Sequence, residues 1–133
     1  MSRSCTRAHV RTALGPLLIA LLLLVPAGTA SAQDTRPYDD KLMRLSEILG
    51  AVHYLRELCG ADEGQVWRDR MRELIDSEGT SALRRARLTR SFNRGYQGYS
   101  RTYRTCTPSA ETAVRRFFAE ATQLADELMR NVP

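Results

Sequence analysis

The chain has 133 residues, 20 basic and 15 acidic, with three cysteines and a formal net charge of +5. That length fits one domain of modest size. Where the charge sits excludes more than its total does.

Residues 1–32 read as a cleavable signal peptide. Arg3, Arg7 and Arg11 precede a Leu-rich run from Leu14 to Val25, and Ala30-Ser31-Ala32 supplies a small-x-small cleavage site. The run is shorter than the roughly 20 apolar residues a membrane-spanning helix needs, and Pro26 and Gly28 break it. Cleavage after Ala32 leaves an exported chain of 101 residues starting at Gln33, with no transmembrane segment. The leader takes three arginines and no acids with it, so 17 basic residues face 15 acidic ones, a net of +2. A nearly neutral exported domain excludes nucleic acid as a partner. Cys5 is lost with the leader. Cys59 and Cys106 remain, 46 residues between them, and are expected to form a single disulfide.

Residues 33–38 form a short flexible polar lead, and residues 39–131 a helical domain. Asp39 or Asp40 offers an N-cap for a first helix. Its Leu42, Leu45, Ile48, Leu49, Val52, Leu55 and Cys59 fill an arc of about 140°, and Gly60 stops it. Asp62 caps a shorter second helix running to about Ser77, with Val66, Trp67, Met71, Leu74 and Ile75 apolar. Thr80 or Ser81 starts a third, in which Leu88, Phe92, Tyr96, Tyr99, Tyr103 and Cys106 project within about 80° of one another. Gly95 and Gly98 inside it mark either a close backbone approach or a bend. Thr107-Pro108 opens a fourth helix, whose stripe runs from Ala113 through Phe117 and Leu124 to Leu128. No alternating strand pattern competes, and the reading is an all-α, small four-helix bundle-like domain with one disulfide.

The distinctive feature lies in the third helix. From Gly79 to Ala110 there is no acid, while seven arginines occur. Arg87, Arg90, Arg94, Arg101 and Arg104 follow a helical rhythm opposite the Leu88–Tyr103 stripe. Guanidinium forks suit carboxylate and phosphate, so this face is a candidate surface for an acidic partner, and otherwise a solvated face or one paired with neighbouring acids. A second candidate is a groove lined by Arg56, Tyr96, Tyr99 and Tyr103. Arg56 falls inside the apolar arc of the first helix, where it needs a carboxylate or must reach out to water.

Catalytic patterns are missing. His53 is the one histidine after the leader, and with Glu57 four residues on it makes at most a two-ligand metal pair without the His-Glu-x-x-His spacing. There is no nucleophile elbow, and the paired carboxylates are adjacent in sequence, which points them apart on a helix. No enzyme activity, metal or cofactor is expected.

The stretch Asn93-Arg94-Gly95-Tyr96, Tyr99, Tyr103 and Cys106-Thr107, with Cys59-Gly60 upstream, resembles a small exported protein family of alphaproteobacteria, a domain of unknown function. The resemblance spans Tyr38 to Met129. It implies a single domain in a Gram-negative periplasm and brings no ligand or catalytic residue.

The resulting expectation is a non-catalytic periplasmic interaction module. Its Arg-rich helix face would dock onto an acidic envelope partner: a protein, a lipid head group or a glycan. The alternatives are a small-ligand or lipid-binding protein using the tyrosine groove, and a self-associating structural protein of the envelope. The sequence carries no signal for oligomeric state.

Overall fold

Four helices build the fold in the computed structural model, which describes residues 35–131. They are α1 (Asp39–Leu58), α2 (Val66–Glu78), α3 (Ala82–Thr102) and α4 (Pro108–Asn131). There is no strand among the described residues, and no helix among them is long and apolar enough to cross a membrane. The leader assigned to residues 1–32 lies outside the described residues, as does the start of the polar lead.

Helix α1 is the hub. It packs against each of the other three helices, whereas the backbones of α3 and α4 do not approach one another. Its buried positions are therefore not confined to the expected stripe. Leu42, Ile48, Val52 and Leu55 are buried as the periodicity requires, but so are Ser46, Gly50, Ala51 and His53. Ser46 is satisfied locally, its hydroxyl donating to the Leu42 carbonyl at 2.9 Å. A helix covered on several sides reads weakly as amphipathic, because polar and small residues occupy faces that neighbours cover.

The helix ends show which local signals governed. After α1, Gly60 adopts φ 74°. Its N–H bonds the Glu57 carbonyl at 3.1 Å, and the Ala61 N–H bonds the Arg56 carbonyl at 3.0 Å. This pair is a Schellman stop, which needs the left-handed residue that glycine supplies. Ser81 caps α3 by accepting the Arg84 N–H at 3.1 Å. Thr107 accepts the Ala110 N–H at 3.1 Å at the start of α4. The two aspartate caps did not form. Tyr38 precedes α1 and Gln65 precedes α2, neither with a side-chain cap. Asp39 is already inside α1, its carboxylate engaged elsewhere. Helix α3 also stops earlier than the tyrosine periodicity implies. Tyr103 is extended (φ −111°, ψ 123°), so Tyr103, Arg104 and Cys106 belong to the connection into α4.

Two apolar clusters flank α1. One joins Ile48, Ala51, Val52 and Leu55 to Ala110, Val114 and Phe117 of α4. The other gathers Leu42, Met71, Leu88, Phe92 and Leu128 from all four helices. Between α1 and α3 the backbones touch through glycines. A Cβ on Gly50 would lie 1.9 Å from the Phe92 carbonyl oxygen, and one on Gly95 would lie 1.9 Å from that of Glu47. Gly98, by contrast, faces open space. The two glycines of α3 thus divide: Gly95 admits a neighbouring backbone, and Gly98 has no such duty. Gly95→Ala is expected to lower stability by about 1–3 kcal/mol through forced separation of α1 and α3. Gly98→Ala should raise it by up to about 1 kcal/mol. Urea unfolding of the two variants checks this, and equal effects of the same sign would contradict it.

The disulfide joins Cys59, at the end of α1, to Cys106, between α3 and α4, with Cα atoms 4.9 Å apart.

Candidate functional site

Helix α3 presents its Leu88–Phe92 side to α1 and leaves the other side uncovered. Along that outer side Arg90, Asn93, Arg94, Gln97, Gly98 and Arg101 line a shallow depression. The five arginines expected to form one ridge behave in two ways. Arg87 and Arg94 stand at the edge facing α1 and are paired with its acids, Arg87 with Asp39 at 3.6 Å and Arg94 with Glu47 at 3.3 Å. Glu47 is shared with Arg44 at 3.6 Å. Arg90, Arg101 and Arg104 are exposed and have no ion-pair partner among the described residues. Arg104 sits past the end of α3, so the ridge is two free arginines on the helix and a third in the connection beyond it.

The second candidate, a groove shared by Arg56, Tyr96, Tyr99 and Tyr103, does not assemble as expected. Tyr96 turns to His53, Tyr54 and Arg68, with ring centroids 5.6 Å from His53 and 5.4 Å from Tyr54. Arg56 is held by Glu63 in the connection to α2, its Nε donating to Oε1 at 2.9 Å. This bond, with that from the Trp67 indole, keeps the Glu63 carboxyl below the usual carboxylate range. Of the two sequence options for Arg56, a carboxylate partner at a half-exposed site is the one realised. Tyr99 and Tyr103 do share a groove, and its far wall is α4.

That groove holds about 570 Å³. The Tyr99 and Tyr103 rings are parallel within 3°, 6.0 Å apart, and Phe117 meets Tyr99 edge-on at 5.1 Å. Ser109, Thr112, Arg116 and Glu120 complete the lining. Glu120 is charge-paired with Arg44, which donates to its two oxygens at 2.7 and 3.0 Å. This bond holds the Glu120 carboxyl below its ordinary range. Burial pushes the Tyr99 phenol above its ordinary range, so it is a neutral donor near pH 7.

The structure also contains a buried ionic cluster. Arg84 is 1% exposed. Its Nη1 lies 2.5 Å from Asp39 Oδ1 and its Nη2 3.2 Å from Glu78 Oε2. Its Nε donates to the Glu78 carbonyl at 2.6 Å, and the guanidinium lies 5.8 Å from the Tyr38 ring. The Asp39 Oδ1 contact is ionic, since no donor is aligned on that oxygen. The other Asp39 oxygen accepts the Arg36 N–H at 3.1 Å. Arg36 and the Tyr38 hydroxyl reach Glu78 as well, at 3.3 and 3.2 Å. One side chain thereby ties the lead, the start of α1 and the end of α2 to α3.

A family described as a protein of unknown function (DUF2385) matches residues 37–131. The chain belongs to this family. The DUF2385 match runs from the lead through α4, so the free arginines, the tyrosine groove, both cysteines and the Arg84 cluster all lie within its span. Neither the curated proteins nor the solved structures give a match. Within the DUF2385 domain His53 is a packing residue. It is 4% exposed and its Nε2 accepts from Arg68 Nε at 2.8 Å. Burial, and then the Arg68 charge, hold its pKa below the ordinary histidine value, so the ring is neutral near pH 7. No cluster of three metal-ligating side chains occurs among the described residues.

Proposed function

We propose that this protein is a non-catalytic interaction module of the Gram-negative periplasm that docks the outer face of α3 onto an acidic protein surface of the envelope. The observation that carries the reading is the set of three exposed arginines, Arg90, Arg101 and Arg104, without an ion-pair partner among the described residues and on a stretch without a single acid. Eight other arginines find carboxylates, namely Arg36, Arg44, Arg56, Arg70, Arg72, Arg84, Arg87 and Arg94. Arg68, Arg85 and Arg115 donate to neutral acceptors, and Arg116, on α4, has no partner among the described residues. Arg90 and Arg101 are spaced about 16 Å along a helix, which gives the site direction as well as charge. Planar forks at fixed spacing favour carboxylates held on another folded surface. Leu83, 63% exposed at the start of the same face, adds an apolar contact at one end. The leader and the disulfide favour an exported location.

The test is recovery of partners from the cell's own envelope extract by the wild-type mature protein and by Arg90→Glu/Arg101→Glu/Arg104→Glu. Arg94 is left intact because its pairing with Glu47 would confuse binding with folding. The triple variant is expected to recover the partner at least about tenfold less well, and wild-type recovery should fall with salt. The helical circular-dichroism signal should not change. A control, Arg70→Glu/Arg72→Glu on α2, should recover normally. Unaltered recovery by the triple variant sinks the reading.

A further inference from the structure

We infer that the groove between the end of α3 and the first turns of α4 is a binding site for an acidic saccharide, separate from the arginine face. Tyr99 and Arg90 are nine residues apart, which places them on opposite sides of α3, about 180° around the axis. The groove volume of about 570 Å³ falls within the roughly 300–1,000 Å³ of small-molecule sites.

The ligand class follows from which lining groups are already spent. The Glu120 charge is already answered by Arg44. The Thr112 hydroxyl donates to the Pro108 carbonyl at 2.8 Å and accepts from Arg115 at 2.8 Å. What remains without a partner among the described residues is the Arg116 guanidinium and the hydroxyls of Tyr99, Tyr103 and Ser109. One unspent cation and no unspent carboxylate select an anion. Three unspent hydroxyls, each able to donate and accept, select a ligand with several hydroxyls of its own. Tyr103, Ala113 and Phe117 add apolar lining for the C–H face of a ring. A sugar ring carrying a carboxylate meets all three demands. An aromatic carboxylate would use Arg116 and the apolar lining but leave the hydroxyls it covers unmatched.

The test is calorimetric titration of the mature protein with a disaccharide ending in glucuronate, the matched neutral disaccharide ending in glucose, and benzoate. The acidic disaccharide is expected to bind saturably with Kd below about 1 mM, at least tenfold tighter than either comparator. It should also shift the Tyr99 and Tyr103 ring resonances in NMR spectra. Arg116 is exposed, so Arg116→Gln should fold normally and reduce the acidic disaccharide to the level of the neutral one. Tyr99→Phe, which keeps the ring and its packing, should weaken both disaccharides. Arg90→Glu should leave binding intact, which separates this site from the docking face. Absence of saturable binding, equal binding by Arg116→Gln, equal binding of benzoate, or loss of binding in Arg90→Glu would each overturn the inference.

Discussion

Arg84→Ala is expected to destabilise the domain by about 3–5 kcal/mol, among the largest effects of any single substitution in this chain. The loss does not come from an attractive contact alone. Asp39 is 2% exposed, and with Arg84 gone its carboxylate stays buried with only Arg87, 3.6 Å away, and the Arg36 N–H to answer it. The Glu78 carbonyl, which accepts from Arg84 Nε, loses a partner at the end of α2, where carbonyls have none within the helix. The penalty should therefore be a desolvation penalty, and it has a distinctive signature. Removing both charges, as Arg84→Met/Asp39→Leu, should recover most of the stability, since buried pairs replaced by apolar groups of similar volume are often neutral or better. Urea unfolding of the two single variants and the double measures the coupling. If the double variant is as unstable as the sum of the singles, the cluster is not a compensated buried pair.

Arg84 also shows where sequence reasoning reached its edge. Arg56 drew notice because it falls within an apolar arc, and the same test applied to α3 would have flagged Arg84. It heads the row Arg84, Leu88, Phe92 at the i, i+4 spacing that puts side chains on one helix face. Its membership in a run of seven arginines disguised it as surface charge. The partners could not be read from sequence at all, because Asp39 and Glu78 are 45 and 6 residues away and meet Arg84 only once α1, α2 and α3 are packed.

Helix number, the Gly60 stop, the Ser81 and Thr107 caps and the cysteine pairing were legible because each is a local or single-choice signal. Two other features depend on tertiary neighbours. Helix α3 ends at Thr102 although tyrosines continue the helical rhythm to Tyr103, because the chain must turn there to bring Cys106 to Cys59. The tyrosine groove needed α4 as its second wall, and nothing in the spacing of Tyr99 and Tyr103 pointed to Ser109 or Arg116. The arginine face was read as functional, or else as solvated or paired with neighbouring acids. In the structure the residues bordering α1 are paired and those facing away are not.

Opening the disulfide, as Cys59→Ser/Cys106→Ser, is expected to cost about 4 kcal/mol on loop entropy for a separation of 47 residues. Against a typical net stability of about 5–15 kcal/mol, that is a large share, and the thermal midpoint should fall by roughly 15–30 °C. A fall below about 5 °C would show that the reduced chain already holds the two cysteines near each other. The location of the damage is a sharper test than its size. The bridge closes a loop containing α2 and α3, while α4 lies outside that loop and is held by Val114 and Phe117 against α1. The backbones of α3 and α4 make no close approach. The corner between them is fixed by the bridge and by the Tyr54 hydroxyl, which donates to the Tyr103 carbonyl at 2.5 Å. Without the bridge, residues 103–107 keep that bond, the Tyr103 N–H bond to the Tyr99 carbonyl, the Thr107 cap on α4 and the packing of the Tyr103 ring. Their amides should then exchange by local opening, while those at the α1–α3 glycine contact exchange only with global unfolding. Uniform loss of protection across the domain would instead mean that the bridge acts only through the unfolded chain.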